Sequence, residues 1–373
     1  MTQFGPKVHV YKASRQAMGT PDPELTFDLM RRNQALGVET HFVADNNLMI
    51  QIDLAIEADQ PATDATLEQL YLLEWVAFLR DCDRQKLPYG LTTFFAYAEM
   101  PAALAQSRAA RLQRFADKFS LEWRDGEGND DYAGLGLTQR TFDALDVSQQ
   151  VMMGISFSAL LLMLLINRDG ADFSPIGKFR RYLREYKRLI ETVSVREIAI
   201  ARYVFATQKE CPGELDRLRS RIDENFARNK REKRPVALDD MCATALNGAF
   251  DLLLFNVMNI VDTRGVEGKK LDCWLVSMDE KLKVFNDLCH NVDMGTGRAG
   301  ALASVASHED ASEYWKQTGD LIEKLSDEVA GRLLAYEMRR IAGAGIADEI
   351  RKERLAGIPE KARAVIALVE AGL

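Results

Sequence analysis

Two acids in this chain close short apolar runs at points where a strand gives way to a helix. Asp45 follows His41-Phe42-Val43-Ala44, and Asp279 follows Trp274-Leu275-Val276-Ser277-Met278. In open α/β sheets, ligands gather outside the carboxyl ends of the strands, so parallel strands would carry both acids to one edge. Glu99 comes after the Thr- and aromatic-rich stretch 89–98, and a further acid is available from the helix expected over residues 241–260, which passes Asp251. Carboxylates gathered in one cleft repel each other and hold their protons unless a divalent cation neutralises them. A ligand set made only of oxygen favours Mg²⁺ or Mn²⁺. Such an ion activates a water and stabilises charge building on a phosphodiester, so phosphodiester hydrolysis without a side-chain nucleophile is the chemistry this set would perform.

Each acid also has a structural reading. Asp45 and Asp279 both suit the N-cap of the helix that follows, because a short side-chain oxygen there accepts a first-turn amide. Glu99 reads equally well as a solvated acid at a helix start, and Asp251 as the partner of an arginine in the middle of the chain.

The elements that must position these residues follow from periodicity. Residues 24–36 read as a helix ended by Gly37, then the Asp45 strand, then a helix over 48–58 that Pro61 breaks. Residues 65–82 carry apolar side chains at helical spacing, and 101–119 form a helix carrying Arg108, Arg111 and Arg114. Residues 7–12 alternate and read as a short edge strand. From 138 to 234 the pattern is helical throughout, with basic clusters at 178–188 and at Arg228, Lys230, Arg231, Lys233 and Arg234. Charge runs are more often solvated faces, and acids such as Asp216, Asp223 and Glu224 are mixed into this section, so 178–188 reads as a solvated face, whereas only Glu232 offsets the five cations of the second cluster, which reads as a surface for a phosphate backbone.

Composition narrows the classes. A formal net charge of -8 argues against bulk electrostatic coating of nucleic acid, although local basic patches can still grip phosphates. The five cysteines are scattered without a C-x-x-C pair, which fits a reducing compartment and excludes a zinc knuckle. The four histidines show no metal-binding spacing, so any metal would be held by oxygen. The first ten residues lack signal-peptide character, and the longest apolar run, 151–166, is too short for a membrane span and reads as a buried helix. The expectation is a cytoplasmic protein without a membrane segment. Gly295-Thr296-Gly297-Arg298-Ala299-Gly300 fits G-x-G-x-x-G, but it follows a helix rather than a strand and reads as a loop.

Val43-Ala44-Asp45-Asn46-Asn47-Leu48 resembles the D-x-N signature that opens PIN domains, a family of metal-dependent ribonucleases, and Leu275-Val276-Ser277-Met278-Asp279-Glu280-Lys281-Leu282 resembles their closing [ST]-x-D strand. Residues 91–99 are similar to the segment that delivers the family's second acid. The resemblance covers segments 40–100 and 236–290. It implies that Asp45, Glu99 and Asp279 bind metal, that Asn47 and Ser277 support them, and that the fold is α/β, a three-layer PIN-like parallel sheet with helices on both faces. For the family's third acid, Asp239, Asp240 and Asp251 compete, and Asp251 is favoured because it stands alone in the apolar stretch Phe250-Asp251-Leu252-Leu253-Leu254.

The expected organisation is therefore a PIN-like domain in two parts, 1–104 and 236–304, with a helical insertion at 105–235 and a C-terminal helical extension at 305–373. The expected function is a Mg²⁺- or Mn²⁺-dependent endoribonuclease acting on RNA, with a protein regulator as a further partner. Two other classes compete: a catalytically inactive PIN-like scaffold that binds RNA or protein, and a dinucleotide-dependent oxidoreductase built on Gly295 to Gly300.

Overall fold

Side chains on a strand alternate between sheet faces, and three of the expected apolar runs are buried strands at the centre of one sheet. The computed structural model describes residues 2–15, 23–57, 60–93, 96, 102–123, 141–190, 194–229, 231–266, 268–292, 303–341 and 346–372. Glu99, Lys230 and the Gly295 to Gly300 loop lie outside the described residues. The chain divides into two compact units, one of residues 1–140 and 254–304, the other of 141–253 and 305–373.

The first unit is built on strands β1 (Thr2–Phe4), β2 (Val8–Tyr11), β3 (Ser14–Arg15), β4 (Val38–Ala44), β5 (Tyr89–Thr92), β6 (Lys270–Ser277), β7 (Cys289–Val292) and β8 (Ala303–Val305). Five of them form a sheet in the order β1-β2-β6-β4-β5, and β3, β7 and β8 form a second, small sheet. β4 runs parallel to both β5 and β6, while β2 is antiparallel to β6 and to β1. The class is α/β as expected, but the sheet is mixed rather than parallel. The cause is local: β1 and β2 are joined by Gly5-Pro6-Lys7, with Gly5 at φ 62°, and a connection that short can only make a hairpin. Residues 7–12, read as an edge strand, therefore lie one strand in, with β1 outside them.

One side of the sheet presents Val8, Val10, Phe42, Ala44, Trp274 and Val276 to a continuous core. Leu48, Met49 and Ile52 of the Asn46–Ala55 helix, Trp75, Val76 and Leu79 of the Leu73–Arg84 helix, and Phe115 and Phe119 of the Ala102–Phe119 helix fill it. Phe42 meets the edge of Trp75 with ring centroids 4.8 Å apart, a geometry worth about 1 kcal/mol beyond burial. The Ala102–Phe119 helix, expected to begin the insertion, belongs to this unit. Its Arg111 donates to the Asp53 carbonyl at 3.1 Å, and its Lys118 to the Ala55 carbonyl at 2.8 Å, so two cations satisfy carbonyls at the end of the Asn46–Ala55 helix.

The opposite side carries His9, Tyr11, Cys273, Leu275 and Ser277 by the same alternation. Asn286 of the Glu280–Leu288 helix donates to the Lys12 carbonyl at 2.9 Å, and Ser14 donates to Asn259 of the Leu238–Arg264 helix at 2.7 Å.

Beside Trp274 the sheet buries a cation. Lys12 Nζ lies 2.8 Å from Asp262 Oδ1, also pairs with Asp272, and sits 5.3 Å from the centre of the Trp274 ring. Asp272 accepts from Trp274 Nε1 at 2.8 Å and from Asn33 at 2.7 Å, while Asp262 accepts the Cys273 amide at 2.9 Å. Burial alone would pull the Lys12 pKa down, but the two carboxylates reverse this and raise it. The Asp262 pKa is raised as well, by burial despite Lys12, which for an acid disfavours the charged form. One cation shared between two acids is held firmly, whereas each acid is only partly compensated.

The second unit is helical around Val147–Asp169, whose N-terminus is closed by a reciprocal capping box between Asp146 and Gln149. This helix packs against Ile358–Ala371, Pro175–Leu189 and Val195–Phe205. A Cβ at Gly154 would collide with the Ile358 side chain, so the close approach of the two helices requires glycine there. Instead of the separate insertion and extension expected, residues 141–253 and 305–373 share one unit, and its boundary falls between Leu253 and Leu254, inside the Leu238–Arg264 helix, rather than at 235. Two helices, Val147–Asp169 and Leu238–Asp262, are long and apolar enough to cross a membrane, and most of each apolar window is buried inside the protein.

Replacing Lys12 with Met leaves Asp262 and Asp272 facing each other without a cation. The expected outcome is a loss of about 3 kcal/mol of stability, read as a lower urea midpoint with an unchanged slope.

Candidate functional site

The parallel register of β4 on β6 ends with Ala44 beside Val276, and the Asp45 amide extends the ladder by donating to the Val276 carbonyl at 3.1 Å. Asp45 and Ser277 thus leave the sheet side by side. Asp45 caps the Asn46–Ala55 helix, its Oδ1 accepting from the Leu48 amide at 2.8 Å, and its Oδ2 accepts from the Ser277 hydroxyl. Ser277 Oγ in turn accepts the Asp279 amide at 2.9 Å. Asp279 caps the Glu280–Leu288 helix, its Oδ1 accepting from Lys281 and Leu282 at 2.8 and 3.2 Å.

Both strand-end acids are therefore helix caps, as their structural reading predicts. A cap needs one oxygen, and the second oxygen of Asp45 is turned to Ser277 across 232 residues of sequence. Asp45 is 4% exposed. Burial pushes its pKa up to about 7, the Ser277 and Leu48 hydrogen bonds pull against that, and the neighbouring Asp279 charge adds to the rise. Capping does not produce this by itself. Asp146 caps a helix in the same manner, and although burial raises its pKa, hydrogen bonds from Ser148 and Gln149 outweigh it and leave the net shift downward. The difference at Asp45 is burial beside a second acid with no cation among its described hydrogen-bond partners.

The other expected site residues are placed less compactly. Asn47 is exposed in the first turn of the Asn46–Ala55 helix. Asp251 belongs to the second unit, where its Oδ2 accepts from Asn225 at 3.4 Å, and its competitors Asp239 and Asp240 are exposed in the first turn of the Leu238–Arg264 helix. Among the described residues, no group of three or more His, Cys, Asp or Glu side chains is placed to hold a metal ion. Of the expected RNA-binding cations, Arg228 and Arg234 are turned onto the fully buried Asp223, at 2.7 and 2.8 Å, and Arg231 and Lys233 are exposed.

Sequence reading missed His9. It lies directly opposite Ser277 in the β2–β6 register, on the same sheet face, and is 7% exposed with Nδ1 lacking a partner among the described residues. Burial first, and then the charge of Lys283, lowers its pKa. The alternation in residues 7–12 fixes which side His9 faces, but nothing in the sequence pairs it with Ser277.

Comparison with known protein families, curated proteins and solved structures gives no match.

Asp45 carries a pH signature that can be measured. Its pKa is about 7 in the fold against an ordinary 3.8, so between those values the folded chain keeps a proton that the unfolded chain has released. The Asp45 contribution to stability is therefore highest at acid pH, falls as pH rises from about 4 to about 7, and is level above that. Asp45→Asn, which preserves the cap, is expected to remove this slope of at most about 1.4 kcal/mol per pH unit. Parallel urea melts of both proteins across that window supply the test, and equal slopes would contradict it.

Proposed function

We propose that the protein is a metal-dependent endoribonuclease whose reaction centre lies at the edge formed by Asp45, Ser277 and Asp279. The observation that carries this reading is the join itself: two carboxylates at adjacent parallel strand ends, tied through one hydroxyl, with the more buried acid poised near neutrality. The similarity of the Asp45 and Ser277-Met278-Asp279 segments to the opening and closing motifs of PIN domains supports the same chemistry. Glu99 is proposed to extend the ligand set, and RNA is the proposed substrate.

An all-oxygen edge fits Mg²⁺ or Mn²⁺, and a coordinated carboxylate must be ionised. A bound ion of this class supplies an activated water and stabilises the charge that builds on the phosphodiester. Asp45 has to release its proton for this, which its pKa near 7 allows at neutral pH. Ser277 holds Asp45 and the Asp279 amide in one geometry, and the two helix caps fix the direction of both carboxylates.

The second reading is a scaffold of the same fold that binds RNA or protein without cleaving it. The specific observation in its favour is that both described acids of this edge, Asp45 and Asp279, serve as helix caps.

The expected result is Mn²⁺-dependent cleavage of single-stranded RNA by the wild type, with a loss of at least about a hundredfold in Asp45→Asn/Asp279→Asn, since the metal-held water is the proposed nucleophile. Mn²⁺ should also raise the melting temperature of the wild type and leave that of the double variant unmoved. Undiminished metal-dependent cleavage by the purified double variant would exclude this site, and neither cleavage nor a thermal shift in the wild type would leave the scaffold reading.

A further inference from the structure

The helical unit holds a basic strap that the acidic edge does not explain. Beyond the Glu214–Phe226 helix, Arg228, Asn229 and residues 231–234 are tied together by hydrogen bonds. Arg228 Nε and Arg234 Nη2 donate to the two oxygens of Asp223, which is 0% exposed. Asn229 closes the turn between them: its amide donates to the Lys233 carbonyl at 2.8 Å, and its side-chain oxygen accepts the Arg231 and Lys233 amides at 3.0 and 3.1 Å. Glu232, at the tip, takes a left-handed backbone with φ 57°. The two arginines read from sequence as RNA contacts are thus the clasp, and Arg231 and Lys233 are the exposed cations it holds outward.

A third cation joins them from another element. Lys178, in the first turns of the Pro175–Leu189 helix, donates to Asn167 at 3.2 Å. The next residue, Arg168, reaches the Val236 carbonyl at 3.3 Å. The end of the Val147–Asp169 helix therefore brings Lys178 and the strap's last residues to one place. Burial and then the nearby Arg234 charge lower the Lys178 pKa. The acids acting on Arg228 are Asp223, Glu224 and Glu232, and Asp223 is spent on the clasp, so the described cations of this cluster, Lys178, Arg228, Arg231, Lys233 and Arg234, outnumber its acids.

We propose that Arg231 and Lys233, with Lys178 beside them, form a binding surface for the phosphate backbone of single-stranded RNA, in which these three cations meet phosphates and Arg228 and Arg234 position the strap through Asp223. The substrate class rests on the ribonuclease reading, but the surface is a separate site in the helical unit. Preorganisation of the turn favours a phosphate ligand, because little backbone freedom remains to be lost on binding.

The test is the binding of a fluorescent single-stranded RNA to the full chain in EDTA across a salt series, so that it does not depend on metal or cleavage. Arg231→Gln/Lys233→Gln is expected to weaken binding about tenfold at low salt and to flatten the plot of log K against log salt by about 1.4, with a further 0.7 on adding Lys178→Gln. Arg188→Gln/Arg217→Gln removes the same charge from exposed ion pairs elsewhere in the unit and should leave the affinity within about twofold, as rim charges contribute little. The proposal is overturned if the strap variants bind like wild type or if the control pair weakens binding equally. It is overturned too if the strap substitutions abolish capture by phosphatidylserine vesicles while RNA binding is unchanged. Loss of RNA binding in the strap variants alongside failure of Mn²⁺-dependent cleavage would keep this surface and discard the nuclease.

Discussion

The parallel pairing of β4 with β6 is the constraint on which the first unit depends. It joins Val38–Ala44 to residues 270–276 in an unbroken register from Val38 beside Lys270 to Ala44 beside Val276. A slip of one residue would turn every side chain to the other face, placing Trp274 and Val276 outside the core and Ser277 away from Asp45. The same register has consequences on both sides of its length. Near its middle, Asp272 and Trp274 enclose Lys12, and at its end Asp45 and Ser277 emerge together. The register thus fixes the geometry of both charged clusters.

Three carboxylates withdrawn from water are treated differently. Asp272 shares Lys12 and two neutral donors, and Asp223 receives two guanidinium groups. Both are paired with cations, the arrangement that makes buried charge tolerable. Asp45 receives only an amide and a hydroxyl among its described hydrogen bonds, with Asp279 adding a like charge, and it accommodates burial by holding a proton near neutral pH. This contrast gives Asp45 a meaning that its capping geometry does not.

Much of this edge was legible locally. A short apolar run followed by an acid and a polar helix start specifies both strand end and cap, because the strand period and the N-cap preference are properties of neighbouring residues. The same local logic read 151–166 as a buried helix, within Val147–Asp169, and set a cap reading of Asp279 beside its ligand reading. What was not legible depends on distant partners. The antiparallel entry of β2 beside β6 sets His9 against Ser277, a pairing between residues with no local pattern in common. Arg228 and Arg234 looked like free cations because Asp223, their counter-charge, sits in an apparently solvated helix. The Ala102–Phe119 helix looked like the start of an insertion until Arg111 and Lys118 were seen to close the Asn46–Ala55 helix.

Ser277 explains how the acidic edge can change charge without changing shape. A hydroxyl has one hydrogen and two lone pairs. Its oxygen accepts the Asp279 amide, and while Asp45 is ionised its hydrogen goes to Asp45. When Asp45 takes up a proton, the bond can reverse, with the carboxyl donating to the other lone pair and the Asp279 amide still served. Both protonation states therefore keep the Leu48 and Asp279 amides served, and neither helix has to give up its cap, while the Ser277 hydrogen turns away from Asp45 in the protonated state. A cation approaching Asp279 meets one negative charge or two on an unchanged frame. Alanine or glycine at position 277 would leave both caps possible but remove the link, so the hydroxyl belongs to the coupling of the two acids and not to helix initiation.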